Sequence, residues 1–370
     1  MRKKLSAWLL LLLLHVGMAW FLIAAVKHFT EGSSTAPTSS ISGWDAVDSV
    51  IDDSLPGKDS ALRLRTRLSL IIGNEKIGDI YIHDERLLRE PVLLDDKSTA
   101  DTAAAVNGFY NAYSVPTCIT VFPCASEIYT ECLPENASVP SQLPQIERFY
   151  ELTDPKIRTI DAYHVLSTFK DDYIYYRTDS RCTVYGAYNV YRSLIRKMGY
   201  YPVPYDSCTV SHVKNDLRGD LYEDCLYDKV VPDILDVYTC ENSSRILSMN
   251  AFDGEERTES SFYCSDALDA GNAENFYMGE PVLFTEIETN VENGKRLLVI
   301  KDSFCDSMLP FFTQHYAQLD IIDIGCLDRP ITELTDPSEY QQILIMCSSG
   351  TLDDCEKFMY ITEQEVTGNG

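Results

Sequence analysis

Basic residues are scarce in this chain. It has 31 Lys and Arg against 57 Asp and Glu over 370 residues, a formal net charge of −26. Four of the basic residues, Arg2, Lys3, Lys4 and Lys27, lie in the first 28 positions, which hold no acid, so the remainder is more acidic still. A body of that sign repels phosphate backbones, which argues against nucleic acid as a partner. The twelve cysteines contain no Cys-x-x-Cys pair, which speaks against a zinc cluster. No metal-ligand spacing, phosphate loop, dinucleotide fingerprint or internal repeat is present, so neither a metal nor any other cofactor is expected.

Apolar residues are plentiful: 45% hydrophobic and 11% aromatic content describe a folded globular body. Leu5 to Val26 is a nearly unbroken apolar run, interrupted only by Ser6 and His15. At ~1.5 Å per residue these positions span ~33 Å, enough for a bilayer core. Arg2, Lys3 and Lys4 precede the run and favour a cytoplasmic N-terminus. The expected order is a cytoplasmic tail over 1–4, an uncleaved transmembrane anchor over 5–27, a flexible stalk over 28–57 and an extracytoplasmic domain over 58–370. The stalk is read from the Ser, Thr, Gly and Pro content of Thr30 to Gly43. Membrane attachment is single-pass, and the disulfide state stays open.

Within the domain, helical spacing appears at 58–72, from Ser98, around Ile146, Phe149 and Tyr150, at 162–169, from Thr183 to Met198 and from Met308 to Tyr316. A short hairpin is expected around His83 to Arg86. Strands are expected at Val115–Phe122, Ile157–Ile160, Tyr173–Tyr176, Arg296–Ile300, Asp320–Ile324 and Gln342–Met346. Continuous apolar strands alternating with helices predict an α/β fold with a mostly parallel sheet covered on both faces. Residues 200–280 read as an irregular insertion.

Two strand-to-helix junctions carry possible chemistry. In Leu298-Val-Ile-Lys301-Asp302-Ser303-Phe304, an apolar strand ends at a nucleophile-capable serine. Open α/β sheets bind ligands at such carboxyl ends, and a helix start offers N–H groups to an oxyanion. Ser303 serves equally as a plain helix cap. In Tyr175-Tyr176-Arg177-Thr178-Asp179-Ser180-Arg181-Cys182-Thr183, Asp179 is a cap, a charge partner of Arg177 or Arg181, or the acid of a Ser-His-Asp triad. No histidine adjoins it.

The run Tyr175 to Thr183, followed by Tyr185-Gly-Ala-Tyr188, resembles the signature block of the DHHW family, roughly Tyr-Tyr-Arg-Thr-Asp-His-His-Trp-Thr. Lys301-Asp302-Ser303-Phe304 is similar to that family's serine block. Leu217-Arg-Gly219-Asp-Leu-Tyr222, Pro232-Asp233-Ile234 to Tyr238, and Phe122-Pro123 with Ile128-Tyr129 and Leu133-Pro134 follow in matching style. The resemblance covers roughly residues 75–360. It implies an SGNH-hydrolase-like, flavodoxin-type sheet related to the domains of alginate O-acetyltransferases, in a bacterial cell envelope. It also implies Ser303 as nucleophile and Asp179 as orienting acid, with Tyr176, Arg177, Lys301 and Asp302 around the substrate.

The family's Asp-His-His-Trp is here Asp179-Ser180-Arg181-Cys182. Arginine stays protonated and cannot accept the serine proton. Its expected role is a pair with Asp179. Among replacement bases His212 ranks first. His164 reads as packing or surface, and His315 lies ~18 Å along a helix from Ser303. The expected function is a catalytically impaired protein that binds an envelope polysaccharide or assists its O-acetylation, alongside a membrane acyltransferase partner. The alternatives are an active esterase or O-acetyltransferase with another base, and a structural scaffold of an envelope assembly.

Overall fold

The structure, a computed structural model, describes residues 58–362 apart from Asp84, Leu94, Asn136, 241–243 and Glu255. The expected tail, anchor and stalk lie outside the described residues. Among the described residues no helix is long and apolar enough to cross a membrane. The chain divides into two units, Met1–Leu68 and Ser69–Gly370. Of the first, only the helix that starts at Lys58 and runs to Ile71 is described.

The second unit contains thirteen described strands. Strands β1 (Lys76–Ile77), β2 (Ile80–Ile82) and β3 (Leu87–Arg89) form a small antiparallel sheet. After β4 (Thr117–Phe122) and β5 (Arg158–Ile160) comes a long hairpin, β6 (Cys208–Leu217) with β7 (Asp233–Cys240). The chain continues through β8 (Ile246–Phe252), β9 (Arg257–Glu259), β10 (Phe284–Thr289), β11 (Arg296–Lys301), β12 (Gln318–Asp323) and β13 (Gln342–Ser348). The main sheet has eight strands in the order β5-β4-β13-β11-β12-β10-β8-β9. The first five are parallel, and β10, β8 and β9 extend the sheet antiparallel.

Period-two alternation sends side chains to both faces. Leu297 and Val299 of β11 and Leu344 and Met346 of β13 join one core, under helices Ala162–Thr168 and Val184–Lys197. Leu298, Ile300, Ile343 and Ile345 join the other, under helices Asp96–Tyr113 and Leu143–Leu152. Each fully buried Leu or Ile contributes about 2 kcal/mol relative to exposure. Strands wetted on neither face must be apolar throughout, which is why these runs were readable as parallel strands.

Several expectations change. In chain order the five parallel strands lie 2-1-5-3-4, whereas the flavodoxin order is 2-1-3-4-5; the last strand, β13, inserts between the first and the third. Tyr173–Tyr176 is no strand. It is a bend closed by one bridge between Tyr175 and Cys182, because the chain turns back within these few residues. The helix expected over Met308–Tyr316 is confined to Leu309–Phe312 after a 3-10 turn, Ser303–Met308. Pro310 lacks an N–H and fits only a first helical turn. Residues 200–280 are more regular than expected, since they supply β6 to β9.

Candidate functional site

The segment that carries Asp179 is shaped from a distance by Asp233. This fully buried carboxylate accepts hydrogen bonds from the backbone N–H of Arg177 and of Thr178 (2.7 Å each), from Thr178 Oγ1 (2.5 Å) and from the Tyr173 hydroxyl. Burial pushes its pKa up despite these donors. A buried carboxylate is tolerable only when so satisfied. Gly219 closes the other side: a Cβ there would lie 2.4 Å from both Cβ and Oδ2 of Asp179. Only a residue without a side chain lets the backbone approach the Asp179 side chain this closely.

Asp179 is 1% exposed. Arg181 grips it in fork geometry, Nε to Oδ1 at 2.8 Å and Nη2 to Oδ2 at 2.6 Å, and the Arg181 backbone N–H adds a bond at 2.9 Å. The remaining guanidinium nitrogen, Nη1, donates to the Glu274 carbonyl at 2.8 Å. Burial alone would raise the Asp179 pKa. The adjacent guanidinium and its hydrogen bonds more than offset this and hold it below the usual carboxylate value. Burial likewise opposes the Arg181 charge, and Asp179 more than restores it, so the arginine is held above its ordinary pKa. Ser180 bonds Asp220 through its N–H (2.8 Å) and its hydroxyl (2.7 Å). Asp220 and Asp224 in turn meet Arg89, at 3.4 and 2.7 Å. Cys182 is buried.

The second segment follows β11. Asp302 caps the 3-10 turn: it accepts from the Phe304 N–H at 3.1 Å, and also from the Ser348 N–H and Thr351 Oγ1 at 2.7 Å. Ser303 is exposed, and among the described residues its hydroxyl has no hydrogen-bond partner. Lys301 is buried behind the turn, with Nζ 2.7 Å from Asp306 and 2.6 Å from Asp323. Burial pushes the Asp306 carboxyl up to about 6, against the pull of Lys301.

Asp179, Ser180, Arg181, Asp302, Ser303, Phe304, Ser348 and Thr351 line one open cleft of about 550 Å³ at the carboxyl ends of β11 and β13. The structure thus brings the Asp179 and Ser303 blocks together. Of the expected substrate contacts, Asp302 lines the cleft, and Tyr176 lines, together with Cys182, a cavity of about 20 Å³ beside Ser303. Arg177 and Lys301 line neither: Arg177 stacks on Tyr173 at 4.4 Å, and Lys301 is enclosed by its two carboxylates.

Among the described residues no histidine lines the cleft. His212 lies on β6 with Nδ1 2.5 Å from Asp236, and His164 pairs with Asp161 beside its helix start. His315 bonds the Tyr191 hydroxyl at 2.6 Å, just before β12, whereas Ser303 follows the far end of β11. Sequence reading missed the site roles of Gly219, Asp220 and Asp233, although all three fall in stretches that carried the family resemblance. Glu274, Glu280 and Thr351 gave no signal, since polar residues on short turns and connecting segments have no periodicity to betray them.

Comparison with known proteins agrees with this fold. A DHHW family protein from Eubacterium siraeum is 20% identical, with a TM-score of 0.63 over 76% of this chain and 97% of its own. PatB1 of Bacillus cereus, carrying a sulfonyl adduct, is 17% identical, with a TM-score of 0.63 over 76% of this chain and 98% of its own. No curated protein matches the chain. The family profile of the DHHW protein matches residues 118–322, which take in both the Asp179 and the Ser303 segments. The chain therefore belongs to the DHHW family, with Asp179-Ser180-Arg181-Cys182 at the position of the family's motif.

Proposed function

We propose that this protein is held outside the cell by its N-terminal apolar run, and that its cleft binds an envelope polysaccharide and assists O-acetylation without itself forming an acyl-enzyme. The observation that carries this reading is the bidentate seating of Arg181 on Asp179. A serine becomes a nucleophile when a neighbouring base takes its proton and a third group orients that base. Here the orienting acid is spent on a cation that cannot accept a proton. The other acids near Ser303 are engaged as well: Asp302 in capping and Asp306 with Lys301. Loss of the base alone costs roughly a thousandfold in rate or more.

What remains suits a polyol. The cleft is open and lined by carboxylates, by the hydroxyls of Ser180, Ser303, Ser348 and Thr351, and by the ring of Phe304. The family resemblance to alginate O-acetyltransferase domains supports acyl modification of a glycan as the process served. The Cys208–Cys240 disulfide supports an oxidising location.

The test uses the full chain in detergent, treated with phenylmethylsulfonyl fluoride and assayed with p-nitrophenyl acetate. We expect no adduct on Ser303 and equal hydrolysis by wild type and Ser303→Ala. Arg181→His, which returns an imidazole beside Asp179, should raise Ser303 labelling. A wild-type adduct that vanishes in Ser303→Ala would show an active enzyme and sink the proposal. For the anchor, the full chain should sediment with membranes and resist carbonate extraction; release by carbonate would count against it.

A further inference from the structure

The cleft carries charge of nearly one sign. Asp179, Asp220, Glu274, Glu280, Asp302 and Asp306 all line it, and among the described residues Arg181 is the sole basic one in its lining. That cation is consumed: Nε and Nη2 face Asp179 and Nη1 faces the Glu274 carbonyl. Lys301 behind the turn is equally committed, to Asp306 and Asp323. A carboxylate, sulfate or phosphate on a ligand would therefore meet no available counter-charge and several like charges.

The mouth of the cleft differs from its floor. Glu274 and Glu280 are exposed, and among the described residues the Glu274 carboxylate has no hydrogen-bond or ion-pair partner. Asp220 is half-buried, and its Arg89 contact is a long 3.4 Å. Burial, together with Glu274, Asp220, Asp224 and Asp179, pushes the nearby Glu223 up, as expected where carboxylates crowd one another. Such a rim is relieved by a positive charge, and opposite charges at contact distance near a protein surface attract strongly.

We propose that the cleft selects a glycan whose sugars carry free amino groups, with an ammonium received by Glu274, Glu280 and Asp220, and that it rejects uronates and other anionic sugars. This rests on the reading that the cleft binds a glycan, and it narrows the class: the ligand is unlike the anionic polymer that the family resemblance first suggests.

The test is calorimetric titration of the full chain in a neutral detergent with three oligosaccharides of equal length: chitosan (free amines), its fully N-acetylated counterpart (neutral) and oligoguluronate (anionic). We expect the chitosan oligomer to bind at least about tenfold more tightly than the neutral one, the guluronate not to bind, and the preference to shrink at high salt. The double variant Glu274→Gln, Glu280→Gln should bind the amine and neutral oligomers alike. A control pair elsewhere on the surface, Glu135→Gln with Glu147→Gln, should keep the preference. Equal binding of amine and neutral oligomers, binding of guluronate, or an equal loss in the control pair would overturn the proposal while leaving glycan binding intact. Failure of all three to bind would overturn the glycan reading with it.

Discussion

Arg181 holds a carboxylate that is 1% exposed, and neither partner tolerates loss of the other. Removing one member of a buried pair leaves a charge with no compensation, at a typical cost of 3–5 kcal/mol. Because the Arg181 side chain keeps 20% exposure, we expect Arg181→Ala to lose about 3 kcal/mol at pH 7, read by urea unfolding. In the wild type the Asp179 pKa is lowered on folding, so its contribution is present above the unfolded value near ~4 and is lost as pH falls through the folded one. In the variant burial is unopposed, Asp179 takes up a proton, and the stability gap should narrow between pH 7 and pH 4. A gap independent of pH would show that the pair is not the cause. Asp179 and Ser303 were visible in the sequence because each lies in a short contiguous pattern. Asp233 and Gly219 act across dozens of residues, through hydrogen bonds and close approach, which no local spacing encodes.

Among the elements, the bend from Tyr175 to Cys182 depends on the β6–β7 hairpin, because Asp233 opens β7 and anchors the bend. The disulfide joins directly opposed residues, Cys208 and Cys240, at the open end of that hairpin. Replacing both by Ser should destabilise the hairpin by about 3 kcal/mol, the usual effect of a crosslink closing a loop of this length. Hydrogen exchange over 208–217 and 233–240 would measure it, and unchanged exchange would show the hairpin to be held by packing alone. Strands β4, β11 and β13 were legible because burial on both faces keeps them apolar throughout. β6 was not: nine of its ten positions are only partly buried or exposed, all but its last, Leu217, and its mixed composition resembles a loop. The insertion of β13 into the middle of the sheet was equally hidden, since strand pairing is non-local.

For the whole molecule, the layered α/β class followed from alternation alone, whereas the strand order and the cleft required the folded chain. The same fold hides a set of reactive groups. Cys118, Cys132, Cys182, Cys225, Cys305 and Cys347 stand outside the Cys208–Cys240 disulfide and are buried. Burial pushes those in the centre far above the ordinary thiol range, which keeps them inert once folded. An unfolded chain delivered to an oxidising compartment has no such protection, and a sheet built from distant strands closes slowly. At the extracytoplasmic location proposed above, biogenesis would thus be a race between burial and oxidation. Refolding from urea with reductant present until the sheet has formed should yield more native protein than refolding in air, where chains are trapped by wrong crosslinks. Equal yields would mean that the core closes faster than its thiols can react.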